Sequence, residues 1–144
     1  MREPTGRLPI GLALVQTAKA VNRAFDDELA EAGSTRPVWL ILLSLDQSEL
    51  SNQRELAEAV GIQGATLSHH LAAMEADGLV TRQRDPANRR VHQVRLTARG
   101  EALFRKLADA VRVHDRQLRK GFSDAEIAAL DELLDRMRHN ALST

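Results

Sequence analysis

Residues 64–100 read GATLSHHLAAMEADGLVTRQRDPANRRVHQVRLTARG, and the hydrophobic period changes inside that stretch. After Gln63-Gly64, Leu67, Leu71 and Met74 recur at helical spacing until Gly78 ends the pattern. Beyond Gly78 the period falls to two. Leu79–Arg84 and Val91–Leu96 read as strands, joined by the turn-rich segment Asp85-Pro86-Ala87-Asn88. Projected at about 100° per residue with Leu67 as the core direction, Leu71 and Met74 fall beside it. Ala65, His69 and Ala76 then point away, flanked by Thr66, Ser68, Ala72 and Ala73. A helix faced with alanine can approach another surface closely, and His69 is the one long polar side chain on that face. His70 projects nearer the core and is expected to pack or cap.

Immediately upstream, Ser51-Asn52-Gln53-Arg54-Glu55 opens a shorter helix, with Asn52 and Glu55 at capping-box spacing. Leu56, Ala57 and Val60 form its apolar face and Gly61 stops it. Two short helices about a glycine turn, followed directly by a hairpin, have the layout of a winged helix-turn-helix, whose second helix enters a DNA major groove roughly 12 Å wide. The charge distribution agrees. The 144 residues have zero net charge, yet residues 79–100 hold six arginines (82, 84, 89, 90, 95 and 99) against Asp85 alone. Arg82, Arg84, Arg89 and Arg90 around the hairpin would reach several phosphates, with one arginine suited to a narrow minor groove.

Long helices flank this middle. Leu14, Ala18, Val21, Phe25 and Leu29 stripe a helix from near Pro9 to Gly33. A second follows Ser34-Thr35-Arg36-Pro37, and its run Val38–Leu43 is apolar on nearly every side, which predicts burial all round. Thr97 stands at an N-cap position, and Leu103, Leu107, Ala110 or Val111, His114 and Leu118 mark a helix closed by Gly121. Ser123 and Glu126 form another capping box ahead of a last helix striped by Ile127, Leu130, Leu134 and Met137. A minimal winged helix needs none of these flanks. Their apolar stripes either pack within one chain or, as preferred here, against a twin, which would present two reading helices to half-sites about 10–10.5 base pairs apart or a multiple of that.

Composition narrows the function further. There is no cysteine, so disulfides, thiolate zinc sites and thiol oxidation switches are excluded. The aromatic residues are Trp39, Phe25, Phe104 and Phe122 alone, too few for the stacking rows of single-strand binders. No glycine-rich phosphate loop, nucleophile elbow or metal-ligand spacing occurs, so neither enzyme chemistry nor a metal or cofactor is expected. The scattered His92, His114 and His139 read as solvated or core residues. Val38–Leu43 is far shorter than the ~20 residues of a membrane span, and the first seven residues lack a signal-peptide core. A cytoplasmic protein with no membrane partner is expected.

Ala57 to Gly100 resembles the multiple-antibiotic-resistance regulator (MarR) family of bacterial transcription factors. The family's wing pattern Asp-x-Arg-x-x-x-Val-x-Leu-Thr aligns with Asn88, Arg90, Val94, Leu96 and Thr97, and Gly78-Leu79-Val80 and Gly100 also fall in place. The resemblance implies a mainly α fold with a small β-hairpin, residues 34–97 forming the winged helix-turn-helix and residues 8–33 and 98–144 a helical dimerisation region. It implies a homodimeric regulator of double-stranded DNA, a repressor released by a small aromatic or phenolic ligand, on a pseudo-palindromic operator. The reading-helix residues would be Gly64, Ala65, Thr66, Ser68 and His69, and the wing residues Arg84, Asn88, Arg89 and Arg90, with Arg90 entering the minor groove. Dimerisation would fall to Leu14, Val21, Phe25, Leu107, Val111, Leu118, Leu130 and Leu134, and the ligand pocket to Arg36, Trp39 and His114. Two departures stand out: Asn88 replaces the wing aspartate that orients the arginine, and His69 stands where many members have arginine. A helical dimeric adaptor that keeps the fold without binding DNA is the alternative.

Overall fold

The computed structural model describes residues 6–47, 51–88 and 92–143. The chain forms two compact units that divide at Val111 and Arg112. In the first, α1 (Ile10–Glu31), α2 (Arg36–Gln47), β1 (Ser51–Asn52), α3 (Gln53–Val60), α4 (Gly64–Ala76), β2 (Val80–Arg84) and β3 (His92–Leu96) lead into α5 (Ala98–Arg119). The second contains the end of α5 and α6 (Asp124–Leu142). The division falls inside α5.

The first unit is built around one apolar cluster. Leu29 of α1, Trp39, Ile41, Leu42 and Leu45 of α2, and Leu56 of α3 meet Leu67, Leu71 and Met74 of α4. Leu79, Val80 and Val94 of the hairpin and Leu107 of α5 complete it. Trp39 stacks on Phe104 with ring centroids 5.4 Å apart and planes 7° from parallel. That offset arrangement suits the ring quadrupoles and ties α2 to α5. Two expectations change here. The α2 helix is not buried all round, because Leu40 keeps 37% of its surface exposed while Trp39, Ile41 and Leu42 turn inward. Leu107, expected among the dimerisation residues, is fully buried in the chain's own core, so it has no surface left to offer a twin. Phe25 and Val111 also lean on that core, half-buried.

Among the described residues, the sheet has three strands in the order β1-β3-β2, all antiparallel. The two residues of β1 pair with Val94 and Gln93, a strand too short for a period-two pattern to reveal. Its Asn52 also caps α3, accepting the Glu55 N–H at 2.8 Å, so one residue ends the strand and starts the helix. The β2–β3 ladder runs from Val80 opposite Leu96 to Arg84 opposite His92. Thr97 joins the sheet to α5: its N–H bonds Leu79 O at 3.1 Å, and its hydroxyl donates to Gly78 O at 2.6 Å while accepting the Gly100 N–H at 3.0 Å. Gly100 is needed at this crossing, since a Cβ there would lie 2.1 Å from Leu79 O.

In the second unit, Ser123 and Glu126 form the full reciprocal box at the start of α6. None of the 19 residues of α6 is buried in the single chain. Among the described residues, no helix is long and apolar enough to cross a membrane.

Candidate nucleic-acid interface

The turn between α3 and α4 depends on Gly61, whose φ of 76° and ψ of 32° place it in the left-handed region that favours glycine. Its N–H and that of Ile62 both return to Ala57 O, at 2.9 and 3.2 Å, and the chain leaves toward Gln63 at a fixed angle. Gln63 then opens α4. Leu67, Leu71 and Met74 are buried, so one stripe of α4 is anchored in the core. Gly64, Ala65, Thr66, Ser68 and His69 are exposed, as are Ala72, Ala73 and Ala76. The structure therefore brings the five candidate residues onto the open surface of one half of α4, with the alanine face continuing behind them.

Their local bonding differs. The Ser68 hydroxyl accepts from Gln53 Nε2 at 3.1 Å, which ties α4 to α3 and leaves its own proton to donate elsewhere. His69 projects outward with its ring 6.1 Å from that of half-buried His70. An open groove of about 560 Å³ runs along the α3–α4 turn, lined among others by Gln53, Arg54, Gln63, Gly64 and Ser68. Backbone N–H groups at the start of α4 adjoin it, and such groups favour anionic partners.

The hairpin stands beside α4. Arg84 and Asn88 are exposed, and the chain bends between them by an Asx turn in which the Asp85 carboxylate accepts the Ala87 N–H at 2.9 Å. Arg89 and Arg90, the other expected wing residues, lie outside the described residues. Arg82 departs from the expected phosphate-contacting role. Both its backbone N–H and its guanidinium bond Glu75 of α4, at 3.1 and 3.3 Å. Sequence reading missed Glu75 and Gln53, because the first pairs across a helix-to-strand turn and the second across two helices, where no single periodicity applies.

The remaining candidates are distributed over both units. Arg36 pairs through Nε with Asp26 Oδ1, linking α2 to α1, and Trp39 is engaged with Phe104. His114 is buried in the second unit. Of the dimerisation candidates, Leu14, Leu118 and Leu130 are exposed, and Val21 and Leu134 are half-buried. Leu12, Val15, Val113, Phe122 and Leu133 add further exposed apolar surface.

A short helix, a glycine turn, an outward-facing second helix and an adjoining hairpin define a winged helix-turn-helix protein. Residues 34–92 match the family model of the MarR family. Solved structures agree over nearly the whole length. The transcriptional repressor CouR bound to a 23-mer DNA duplex superposes with a TM-score of 0.82 at 28% identity, covering 92% of this chain and 99% of that one. A mutant MarR from E. coli complexed with operator DNA gives 0.81 at 22% identity, over 90% and 94%. BpsR from Bordetella bronchiseptica, whose DNA binding is regulated by 6-hydroxynicotinic acid, gives 0.81 at 22% identity, over 96% and 97%.

Proposed function

We propose that this protein is a homodimeric transcriptional repressor that binds a pseudo-palindromic operator in double-stranded DNA. The observation that carries the reading is the exposed, small-residue half of α4 beside an arginine-bearing hairpin. Gly64, Ala65 and Thr66 admit the helix close to base edges or phosphates, while His69 and the Ser68 hydroxyl supply hydrogen bonds. Arg84, Arg89 and Arg90 then neutralise phosphates alongside, one of them in the minor groove. The DNA-bound states of CouR and MarR support this mode.

Dimerisation is supported by the exposed apolar side chains. An isolated helix of 19 residues gains little stability from propensity alone, and α6 has no buried residue in the single chain. A twin whose α1 interleaves with α5 and α6 would cover Leu14, Leu118 and Leu130, with Leu134 and Val21 at the margin. Residues 8–33 and 98–144 thereby form the dimerisation region around the reading part, 34–97.

Release by a small aromatic or phenolic acid completes the proposal, supported by the regulation of BpsR by 6-hydroxynicotinic acid. Arg36 and Trp39 in the first unit, and separately His114 in the second, are the candidate contacts. An acidic ligand would compete with Asp26 for the Arg36 guanidinium and so disturb the α1–α2 link. Any ligand that prefers a spacing of the reading helices unsuited to DNA must weaken operator affinity by its own coupling factor.

Binding-site selection from a random duplex pool tests the reading. An inverted repeat should be enriched, and its affinity should fall steeply between roughly 50 and 200 mM salt. A pool that yields no enriched sequence, or partner binding that ignores salt, favours the adaptor alternative.

A further inference from the structure

We propose that Glu75 and Arg82 form a positioning clasp between the reading helix and the wing, and that this clasp sets how well the protein distinguishes its operator from other DNA. The inference rests on the DNA-binding reading above and names a pair that does not itself need to touch DNA.

The geometry is specific. In the sheet order β1-β3-β2, β2 is an edge strand. Alternate N–H groups of an edge strand point away from the sheet. The N–H of Arg82 is one of these, and Glu75 Oε2 accepts it at 3.1 Å. The second carboxylate oxygen, Oε1, accepts from Nη2 of the same arginine at 3.3 Å. Both oxygens of one carboxylate are thus spent on the backbone and side chain of one strand residue. Glu75 lies in the last turn of α4, and Arg82 is the middle residue of β2. The chain between them reverses at Gly78, whose carbonyl is held from the other side by the Thr97 hydroxyl at 2.6 Å. With the hinge residue pinned and the two arms clasped, α4 and β2 keep one relative angle.

That angle decides whether the outward face of α4 and the hairpin arginines meet neighbouring parts of a duplex at once. A mismatched angle leaves phosphate attraction intact, because charge acts on any sequence, but forfeits simultaneous base contact. The clasp therefore contributes to specificity more than to raw attraction. Electrostatics alone predicts the opposite sign. Glu75 is a negative charge on a helix that approaches phosphates, and its removal by itself should tighten binding to every duplex.

The test compares the full-length wild type, Glu75→Ala and Glu75→Gln on two probes: the duplex enriched by the wild type from a random pool, and a shuffled duplex of equal length. For Glu75→Ala, affinity for the enriched duplex should fall about fivefold while affinity for the shuffled one holds or rises. Glu75→Gln keeps a carbonyl to accept the Arg82 N–H but loses the charge, and should recover part of the operator preference, ending about twofold below wild type. Near-identical far-ultraviolet spectra and melting curves for Glu75→Gln keep the comparison meaningful even where Glu75→Ala folds poorly. An equal change on both probes, in either direction, overturns the clasp, as does a Glu75→Gln preference indistinguishable from wild type. A wild-type chain that enriches no duplex sinks the DNA-binding reading, and the clasp falls with it.

Discussion

Replacing Gly100 by alanine tests the packing that seats α5 against the base of the wing. A methyl group at that position would lie 2.1 Å from Leu79 O and 3.1 Å from Leu79 C, whereas ordinary contacts begin near 3.4 Å. Relief requires α5 and the Gly78–Val80 segment to separate by somewhat more than an ångström, and the obstacle is backbone, not a flexible side-chain tip. Overpacking of this kind costs about 2 kcal/mol. The same separation stretches the two Thr97 bonds to Leu79 O and Gly78 O, for about another 1 kcal/mol in total. Alanine returns up to about 1 kcal/mol through helix propensity, leaving a net loss of ~2 kcal/mol. For a chain of this size that lowers Tm by roughly 6 °C, read by circular dichroism at fixed protein concentration. Gly11 in α1 supplies the control, because nothing lies within 4 Å of its added Cβ. Gly11→Ala should leave Tm unchanged or raise it. If Gly100→Ala behaves like Gly11→Ala, the close crossing of α5 over Leu79 is not a feature of the folded protein.

Other substitutions probe the site and the assembly. His69→Ala should alter preference at one or two base positions by about 1–3 kcal/mol, whereas Arg90→Ala should weaken all duplexes and lower the salt slope by about one. Binding isotherms at several salt concentrations separate the two, and a His69→Ala variant with unchanged preference refutes direct reading by that side chain. Leu130→Glu changes a residue that is 45% exposed in the single chain. It should barely affect a monomer but place an unpaired charge in a dimer interface, weakening association by at least about tenfold. Sedimentation equilibrium reads this, and an unaltered dimer excludes Leu130 from the contact. Finally, the hydrogen bonds from the Ser123 backbone and between its side chain and Glu126 hold the Glu126 carboxyl below the usual carboxylate range. A lowered folded-state pKa means the stabilisation is complete above the ordinary glutamate value, about 4.3, and is lost as pH falls through the lowered one. Exchange protection at the start of α6 should fade below that point, and Glu126→Gln should abolish this acid dependence.

How much of this was legible beforehand depended on whether a signal was local. The inward stripe Leu67, Leu71 and Met74 and the open positions of Ala65 and His69 followed from helical period alone, and the structure reproduces both. The Ser123–Glu126 box and the Gly61 stop were equally readable, because a cap is satisfied within four residues. The hairpin register was bounded by its turn residues. Burial around α2 was misjudged at Leu40, since a run of aliphatic residues reports hydrophobicity but not how many neighbours arrive to cover it. Leu107 failed for a related reason: a stripe identifies an apolar face but not whether the chain or a twin covers it.

The sequence by itself determined the elements, their order and the surface chemistry of α4, because those depend on period, caps and turn residues close along the chain. Only the tertiary structure decided which polar groups face solvent and which face one another. Arg82 looked like one more wing cation until folding brought it to Glu75, and Ser68 like a free reader until α3 placed Gln53 beside it. Hydrogen bonds act over about 3 Å, and proximity at that scale between separate elements is fixed by the packing of the core beneath them.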